Sequence, residues 1–376
     1  MQFKIMHWIK RFWWLLLLAN SYALADWEIN MSPGVTAVSR EVYDLHMIIF
    51  WICVAIGVVV FGVMFWSVFA HRKSKGAKPA EFHESTTVEL IWTAIPFVIL
   101  IGMAIPATKA LVSVYDTKGA VIDIKVTGYQ WKWHYDYLNE DIRFFSNLST
   151  PQDQIYNREP KGEHYLLEVD EPMVVPVNTK VRLLLTANDV IHSWWVPAIA
   201  VKKDAIPGFI NESWTVIEEP GTYRGQCAEL CGKDHGFMPI VVVAKEQAEY
   251  DAWLAQKQQQ AAAESQLQDK EWSLAQLMER GESVYGTYCA ACHQISGEGV
   301  PPAFPALKGS AMVQNDIAEH INVVVNGRAG TYMAAFGPQL GDADLAAVIT
   351  YERNAWGHDT GELVQPADIA KIKTAQ

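Results

Sequence analysis

Residues 227–238 read CAELCGKDHGFM, a stretch that holds two cysteines, a histidine and a methionine. Cys227 and Cys231 stand four apart, so a single loop can bring both sulfurs to one place, and His235 and Met238 follow within one further turn of chain. Thiolate, imidazole and thioether together favour copper over hard cations. Zinc is one alternative, although its structural sites favour Cys and His and seldom include Met; a Cys227–Cys231 disulfide is the other. One more nitrogen ligand has to come from a distant segment. His192, in DVIHSWWVP (189–197), is the candidate, because it sits in a second turn-like stretch between predicted strands.

Outward from this loop the chain reads as strands. MPIVVVA (238–244) follows it, and HYLLEV (164–169), KVRLLLTA (180–187) and ESWTVIEE (212–219) precede it, separated by turns rich in Pro, Gly and Asn. Further back, Ile122, Ile124 and Val126 alternate with Asp123, Lys125 and Thr127, the two-residue period of a half-buried strand. Short strands without a long helix between them predict a β-sandwich or small barrel over 113–245. Residues 246–272, rich in Gln, Ala and Glu, read as a helical or flexible tether without a core of its own.

The remainder, 273–376, has a helical pattern and carries CAACH at 289–293. Cys-x-x-Cys-His is the attachment signature of a c-type haem: Cys289 and Cys292 bond to the porphyrin and His293 supplies an axial nitrogen. A redox CxxC or a chance match is the alternative. A second axial ligand comes from elsewhere, and Met333 in GTYMAAFG (330–337) is preferred to Met312, whose default role is core packing. Asp342 is placed to cap a helix with Leu345, Val348, Ile349 and Tyr351 on one face. With both axial positions filled the iron has no open site, so this unit carries electrons and does not react with oxygen.

At the other end, Lys10 and Arg11 precede FWWLLLLANSYALA (12–25), the pattern of a signal peptide cleaved after Ala25, with a short retained anchor as the alternative. Two later runs, about Leu45–Ala70 and Val88–Val112, are long and apolar enough to span a bilayer. Arg72, Lys73, Lys75 and Lys78 between them place the connecting loop on the cytoplasmic side, so the chain after about residue 113 is exported. The formal charge of −12 argues against nucleic acid, which needs a basic surface, and suits a basic protein partner. Of five cysteines only Cys53 lies outside the two motifs, and it reads as a packing residue of the first span.

His192 and GQCAELCGKDHGFMPI (225–240), with the two spans and the exported strands, resemble cytochrome c oxidase subunit II. ERGESVYGTYCAACHQ (279–294), GEGVPPAFPALKG (297–309), YMAAFG (332–337) and GDADLAAVITYERNAWG (341–357) resemble a class I cytochrome c. The resemblance implies a multidomain membrane protein: a two-helix transmembrane hairpin, a cupredoxin-like all-β barrel and a small all-α class I cytochrome c domain, as in caa-type oxidases. It implies that Cys227 and Cys231 bridge two coppers, that His192 and His235 give each one nitrogen, and that Met238 and the Glu229 carbonyl complete them. Further implications are a magnesium at the Glu229 side chain, Trp131 in YQWKWHYDY (129–137) as the point where electrons arrive, and Glu89 in TTVELIWTAIPF (86–97) at the mouth of a proton channel. Lys132 departs from the aromatic residue usual between the two tryptophans. For Trp131 and Trp133 strand packing at alternating positions is the other reading, and for Glu89 a solvated interfacial acid. A carbonyl in the Pro301–Pro302 region would hold the His293 ring.

The implied partners are subunit I, subunit III and a cytochrome c donor, and the implied location is the bacterial cytoplasmic membrane with both metal domains outside. Oxygen chemistry in that family needs intramembrane histidines, and the two spans contain only His46, near an edge. Reduction of oxygen therefore belongs to subunit I. A nitrous oxide reductase is a rival, but its second metal centre needs more histidines than remain unassigned. A quinol oxidase subunit lacks these copper ligands. The remaining alternative is a membrane-tethered electron carrier or copper-delivery protein working without an oxidase.

Overall fold

The computed structural model describes residues 30–78, 84–140, 142–268, 270–328 and 330–374. The expected signal peptide, 1–25, lies outside the described residues. The chain divides into two compact units that meet near residue 250.

The first unit begins with two helices, α1 (Ala37–Ala70) and α2 (Thr86–Val114), both long and apolar enough to cross a membrane. Each extends past the expected apolar run. α1 starts eight residues earlier because Thr36 and Ser39 cap it reciprocally: the Ser39 N–H donates to Thr36 Oγ1 (2.9 Å) and the Thr36 N–H to Ser39 Oγ (3.0 Å). Beyond α2 the strands form two five-stranded sheets. β1 (Ile122–Tyr129), β2 (Lys132–Tyr137), β3 (Ile142–Ser146), β4 (Met173–Pro176), β5 (Val181–Ala187), β6 (His192–Val196), β7 (Val201–Ala205), β8 (Asn211–Thr215), β9 (Gly221–Cys227) and β10 (Pro239–Lys245) pair in the orders β3-β2-β1-β5-β8 and β4-β10-β9-β6-β7. The β1–β5 and β4–β10 pairs are parallel and the others antiparallel, which gives the cupredoxin-like sandwich.

The alternation read in β1 is physical: Ile124 and Val126 are fully buried, whereas Asp123 on the other face forms a two-pronged ion pair with Arg182 of β5 at 2.8 Å. Trp133, Tyr135, Tyr137 and Trp194 fill the middle of the sandwich. Their polar ends find partners there, as burial demands. Trp194 Nε1 donates to the Tyr135 hydroxyl (3.2 Å), and the Tyr137 hydroxyl donates to the Val174 carbonyl (2.7 Å). HYLLEV is not a strand; it is a turn in which only Val169 makes an isolated bridge, to Leu148. Leu166 there has φ +60°, outside the extended region, and the Leu166 N–H donates to Thr150 Oγ1 (3.1 Å) instead of a ladder.

The expected tether contains one helix, α3 (Gln247–Gln268). The second unit starts within α3, at Asp251, and continues with α4 (Leu274–Tyr288), α5 (Ala290–His293), α6 (Ala311–Asn315), α7 (Ile317–Asn326), α8 (Asp342–Asn354) and α9 (Pro366–Thr374). Asp342 is the first residue of α8, and Gly341 occupies the cap position assigned to it from the sequence. Leu345, Val348 and Ile349 are fully buried and Tyr351 is half-buried. α4 crosses α8 at Gly281, where an added Cβ would lie 2.2 Å from the Ala347 carbonyl oxygen and 2.6 Å from Tyr351 Cβ.

Two predictions follow from packing. Gly281→Ala gains helix propensity but forces the crossing apart; the expected net effect is a loss of about 1–3 kcal/mol in the second unit, seen as a lower urea midpoint by circular dichroism. In the first unit His134 packs against Phe145 (4.6 Å between ring centres), and burial pushes its pKa down from 6.5 to about 4. Between those values the unfolded chain binds the proton and the folded chain does not. Acidification from about pH 6.5 to 4 therefore removes at most roughly 3 kcal/mol. His134→Gln should abolish that component, so that the stability difference between wild type and variant changes through this window and is flat above it.

Candidate functional site

β6 pairs with β9 so that Trp194 lies opposite Cys227, and the Ala228 N–H donates to the Ser193 carbonyl (2.9 Å). His192, two residues before Trp194 on the same strand, therefore points to the same buried face just past the end of β9. It is the first residue of a strand, not part of a turn as its sequence context suggested. Gly128 of β1 makes room for its ring: a Cβ there would stand 2.8 Å from His192 Cδ2. Trp133 packs edge-on against that ring at 5.9 Å.

The loop after Cys227 folds back over this point. Cys227 Sγ is 3.8 Å from Cys231 Sγ and 4.0 Å from His192 Nδ1, and Cys231 Sγ is 3.4 Å from His235 Nδ1 and 3.5 Å from Met238 Sδ. The Glu229 carbonyl oxygen lies 3.3 Å from Cys227 Sγ. The six residues expected from the sequence thus converge. Ligand atoms of His192, Cys227 and Cys231 lie within 4.8 Å of one another, all three side chains buried. Met238 is buried, His235 half-buried and the Glu229 side chain exposed.

Donation from the Cys231 thiol lowers Cys227 to about 3, and the same bond together with burial pushes Cys231 up. Burial opposes protonation of His192, but its hydrogen bonds to Asp189 and Cys227 outweigh that and raise its pKa.

Asp189 and Gln130 escaped the sequence reading. Asp189 Oδ1 lies 2.9 Å from His192 Nε2, and Oδ2 accepts the Gln130 N–H at 2.7 Å. The only signal was a carboxylate three residues before a candidate ligand. Trp131 occupies the two-residue turn closed by the Tyr129–Lys132 pair, half-buried, while Trp133 is a fully buried strand residue. Trp131 Nε1 donates to the Cys231 carbonyl at 3.2 Å. Glu89 is in the first turn of α2, some 25 residues or about 38 Å of helix from its far end, so it is not gathered into this cluster.

In the second unit α5 carries Cys289 at its start and His293 at its end. His293 Nδ1 lies 2.9 Å from the Pro305 carbonyl, which leaves Nε2 free for iron. The holding carbonyl is thus a few residues beyond the Pro301–Pro302 region expected. Met333 lies in the irregular segment between α7 and α8, and Met312 lies on α6; both are half-buried against the core.

Comparison with known proteins follows this division. Residues 122–245 match the family "Cytochrome C oxidase subunit II, periplasmic domain", residues 25–110 the corresponding transmembrane domain, and residues 276–351 "Cytochrome C oxidase, cbb3-type, subunit III". A Rickettsia bellii (strain RML369-C) chain described as "Probable cytochrome c oxidase subunit 2" is 37% identical over 252 residues, which cover 66% of this chain and 92% of that one. The chain belongs to the cytochrome c oxidase subunit II family. The Chondrus crispus cytochrome c oxidase subunit 2 is 38% identical over 239 residues, 62% of this chain and 92% of that one. A crystal structure of the periplasmic domain of subunit II of cytochrome oxidase (CoxB) of Bradyrhizobium japonicum is 41% identical and covers 38% of this chain and 98% of that one, with a TM-score of 0.35.

This chain is therefore a membrane-anchored component of an oxidoreductase complex, with a periplasmic domain. Its family implies copper, and its C-terminal cytochrome c domain implies haem. That domain matches the cbb3-type subunit III family, a relation the sequence reading did not name.

Gly128→Val should drive the His192 ring from its place. The expected result in the subunit II chain is loss of most bound copper with the haem content unchanged, measured by metal analysis and haem absorbance.

Proposed function

We propose that this chain is the electron-input subunit of a bacterial cytochrome c oxidase in the cytoplasmic membrane. Electrons would pass from cytochrome c through a covalent c-type haem and a dinuclear copper centre to the oxygen-reducing subunit I, coupled to proton translocation, with subunit III as a further partner. The observation that carries this reading is the elongated donor set. His192 stands at the Cys227 end of the sulfur pair, and His235 and Met238 stand at the Cys231 end. Two sulfurs in the middle with nitrogen donors at opposite ends suit two metals better than one. A bound copper pair supplies a one-electron store whose charge change is spread over two metals and two soft sulfurs.

The protein's part is to hold donors in place. Cys227 and Cys231 would bridge, His192 and His235 would each give one nitrogen, and Met238 and the Glu229 carbonyl would complete the two ends. The exposed Glu229 carboxylate is free to reach a magnesium at the subunit I surface. Cys289 and Cys292 would anchor the haem, with His293 Nε2 and Met333 Sδ as axial donors. Trp131 would receive electrons for the copper site, supported by its hydrogen bond to the Cys231 backbone. Glu89, exposed at the start of α2, would stand at the mouth of the proton path.

Electron paramagnetic resonance with copper and haem counts on the oxidised subunit tests the assignment. One unpaired electron shared by two coppers, beside one low-spin haem, is expected. Cys227→Ser should abolish the copper signal and leave the haem spectrum intact. A single localised copper, or zinc, would replace the oxidase role with that of a carrier or copper-delivery protein.

A further inference from the structure

The Gln130–Trp131 turn touches the loop that leads into His192 and the loop that carries Cys231. Its contacts with the first loop run through Asp189: one carboxylate oxygen accepts the Gln130 backbone N–H (2.7 Å), and the other takes His192 Nε2 (2.9 Å) and the Val190 N–H (2.7 Å). Its contacts with the second loop converge on one atom. The Cys231 carbonyl oxygen accepts Gln130 Nε2 at 2.8 Å and Trp131 Nε1 at 3.2 Å, which uses both its lone pairs. The loop is shaped to receive them. Gly232 has φ +122°, and a Cβ there would lie 3.0 Å from both Gln130 Nε2 and Trp131 Cζ2.

We propose that Gln130 is a positioning residue for electron transfer: it pins the Gln130–Trp131 turn to both of these loops and so keeps the Trp131 ring in contact with the Cys231 backbone. Trp131 alone, half-buried at the tip of a hairpin, has one hydrogen bond to hold its ring and freedom to swing about its side-chain bonds. The shorter Gln130 bond to the same carbonyl, with the Asp189 bond at the other side of the turn, fixes where the indole can go. Electronic coupling falls steeply with separation, so a ring that leaves this contact transfers poorly even when the metal site is intact. One electron moves, oxidising the donor and reducing the copper pair, and no proton or bond is exchanged. The inference rests on the reading of Trp131 as the residue that receives electrons and of Cys231 as a copper ligand.

Gln130→Met, Trp131→Phe and the double variant separate the possibilities. Methionine matches glutamine in length and shape and keeps the backbone N–H bonded to Asp189, but its side chain has no N–H to give the Cys231 carbonyl. In the purified full-length subunit, a flash photoreductant delivers one electron to the haem, and its transfer to copper is followed by absorbance, normalised to the copper count. Gln130→Met is expected to slow this transfer at least about tenfold, as misplacement on the ångström scale does in other oriented reactions. The copper signal and both reduction potentials should stay at their wild-type values, which a merely structural support of the metal would not allow. The double variant should be no slower than Trp131→Phe alone, because Gln130 acts through Trp131.

A wild-type rate in Gln130→Met beside a slowed Trp131→Phe would overturn the positioning role and leave the role of Trp131 standing. Wild-type rates in both would remove the reading of Trp131 and the inference with it. Loss of copper with an unchanged rate per remaining copper pair would assign Gln130 to metal retention and also overturn the proposal.

Discussion

The exported domain depends on one register: Trp194 of β6 opposite Cys227 of β9. His192 and Cys227 are 35 residues apart in sequence, yet their donor atoms lie at 4.0 Å. Only the ladder between these strands brings them together. Side chains alternate along a strand, so a slip of one residue would turn His192 from the buried face to the other. The aromatic core prevents the slip, since Trp194 sits on the same face as His192 and is locked by its bond to the Tyr135 hydroxyl. Core packing and metal geometry are here one constraint.

A preformed site has an electrostatic consequence. Sulfur and nitrogen donors crowd within a few ångströms in a buried place, where an unpaired charge is costly. Here the donors meet this cost among themselves: the Cys227 and Cys231 sulfurs lie 3.8 Å apart, and Cys227 Sγ also faces His192 Nδ1. The donors are thus already gathered where a metal would take them. Rigid strands on both sides keep them there, which is the property an electron-transfer site needs.

What was legible in the sequence follows from how local the information is. The copper loop and the haem motif concentrate their chemistry in short stretches, and the apolar spans and β1 announce themselves by length and period. HYLLEV has strand composition but pairs only through the isolated Val169–Leu148 bridge, and Thr150, 16 residues upstream, captures the backbone N–H of Leu166. His192 looked like a loop residue because two turn formers, Asn188 and Asp189, come shortly before it, although it begins a core strand. Gln130 left no signal in the spacing, and Asp189 only its place three residues before His192. Their role depends on contacts with residues 101 and 59 positions from Gln130, which only the folded chain supplies.

The two units solve the same problem with opposite atoms. An imidazole offers a metal one nitrogen, and which one depends on the partner of the other. In the copper domain a carboxylate, Asp189, takes Nε2 of His192 and leaves Nδ1 toward the sulfurs. In the cytochrome domain a backbone carbonyl, Pro305, takes Nδ1 of His293 and leaves Nε2. The difference suits the geometry of each place. His192 stands on a strand whose backbone runs beside the sulfur pair, so the nitrogen nearer its own Cα is the one within reach. His293 closes a short helix, where the nitrogen farther from its Cα is the one the Pro305 carbonyl leaves uncommitted. Both acceptors raise the basicity of the opposite ring nitrogen, but Asp189 brings a full negative charge to His192 and Pro305 only a carbonyl dipole to His293, so the two rings are held by partners that differ in electronic influence as well as in position.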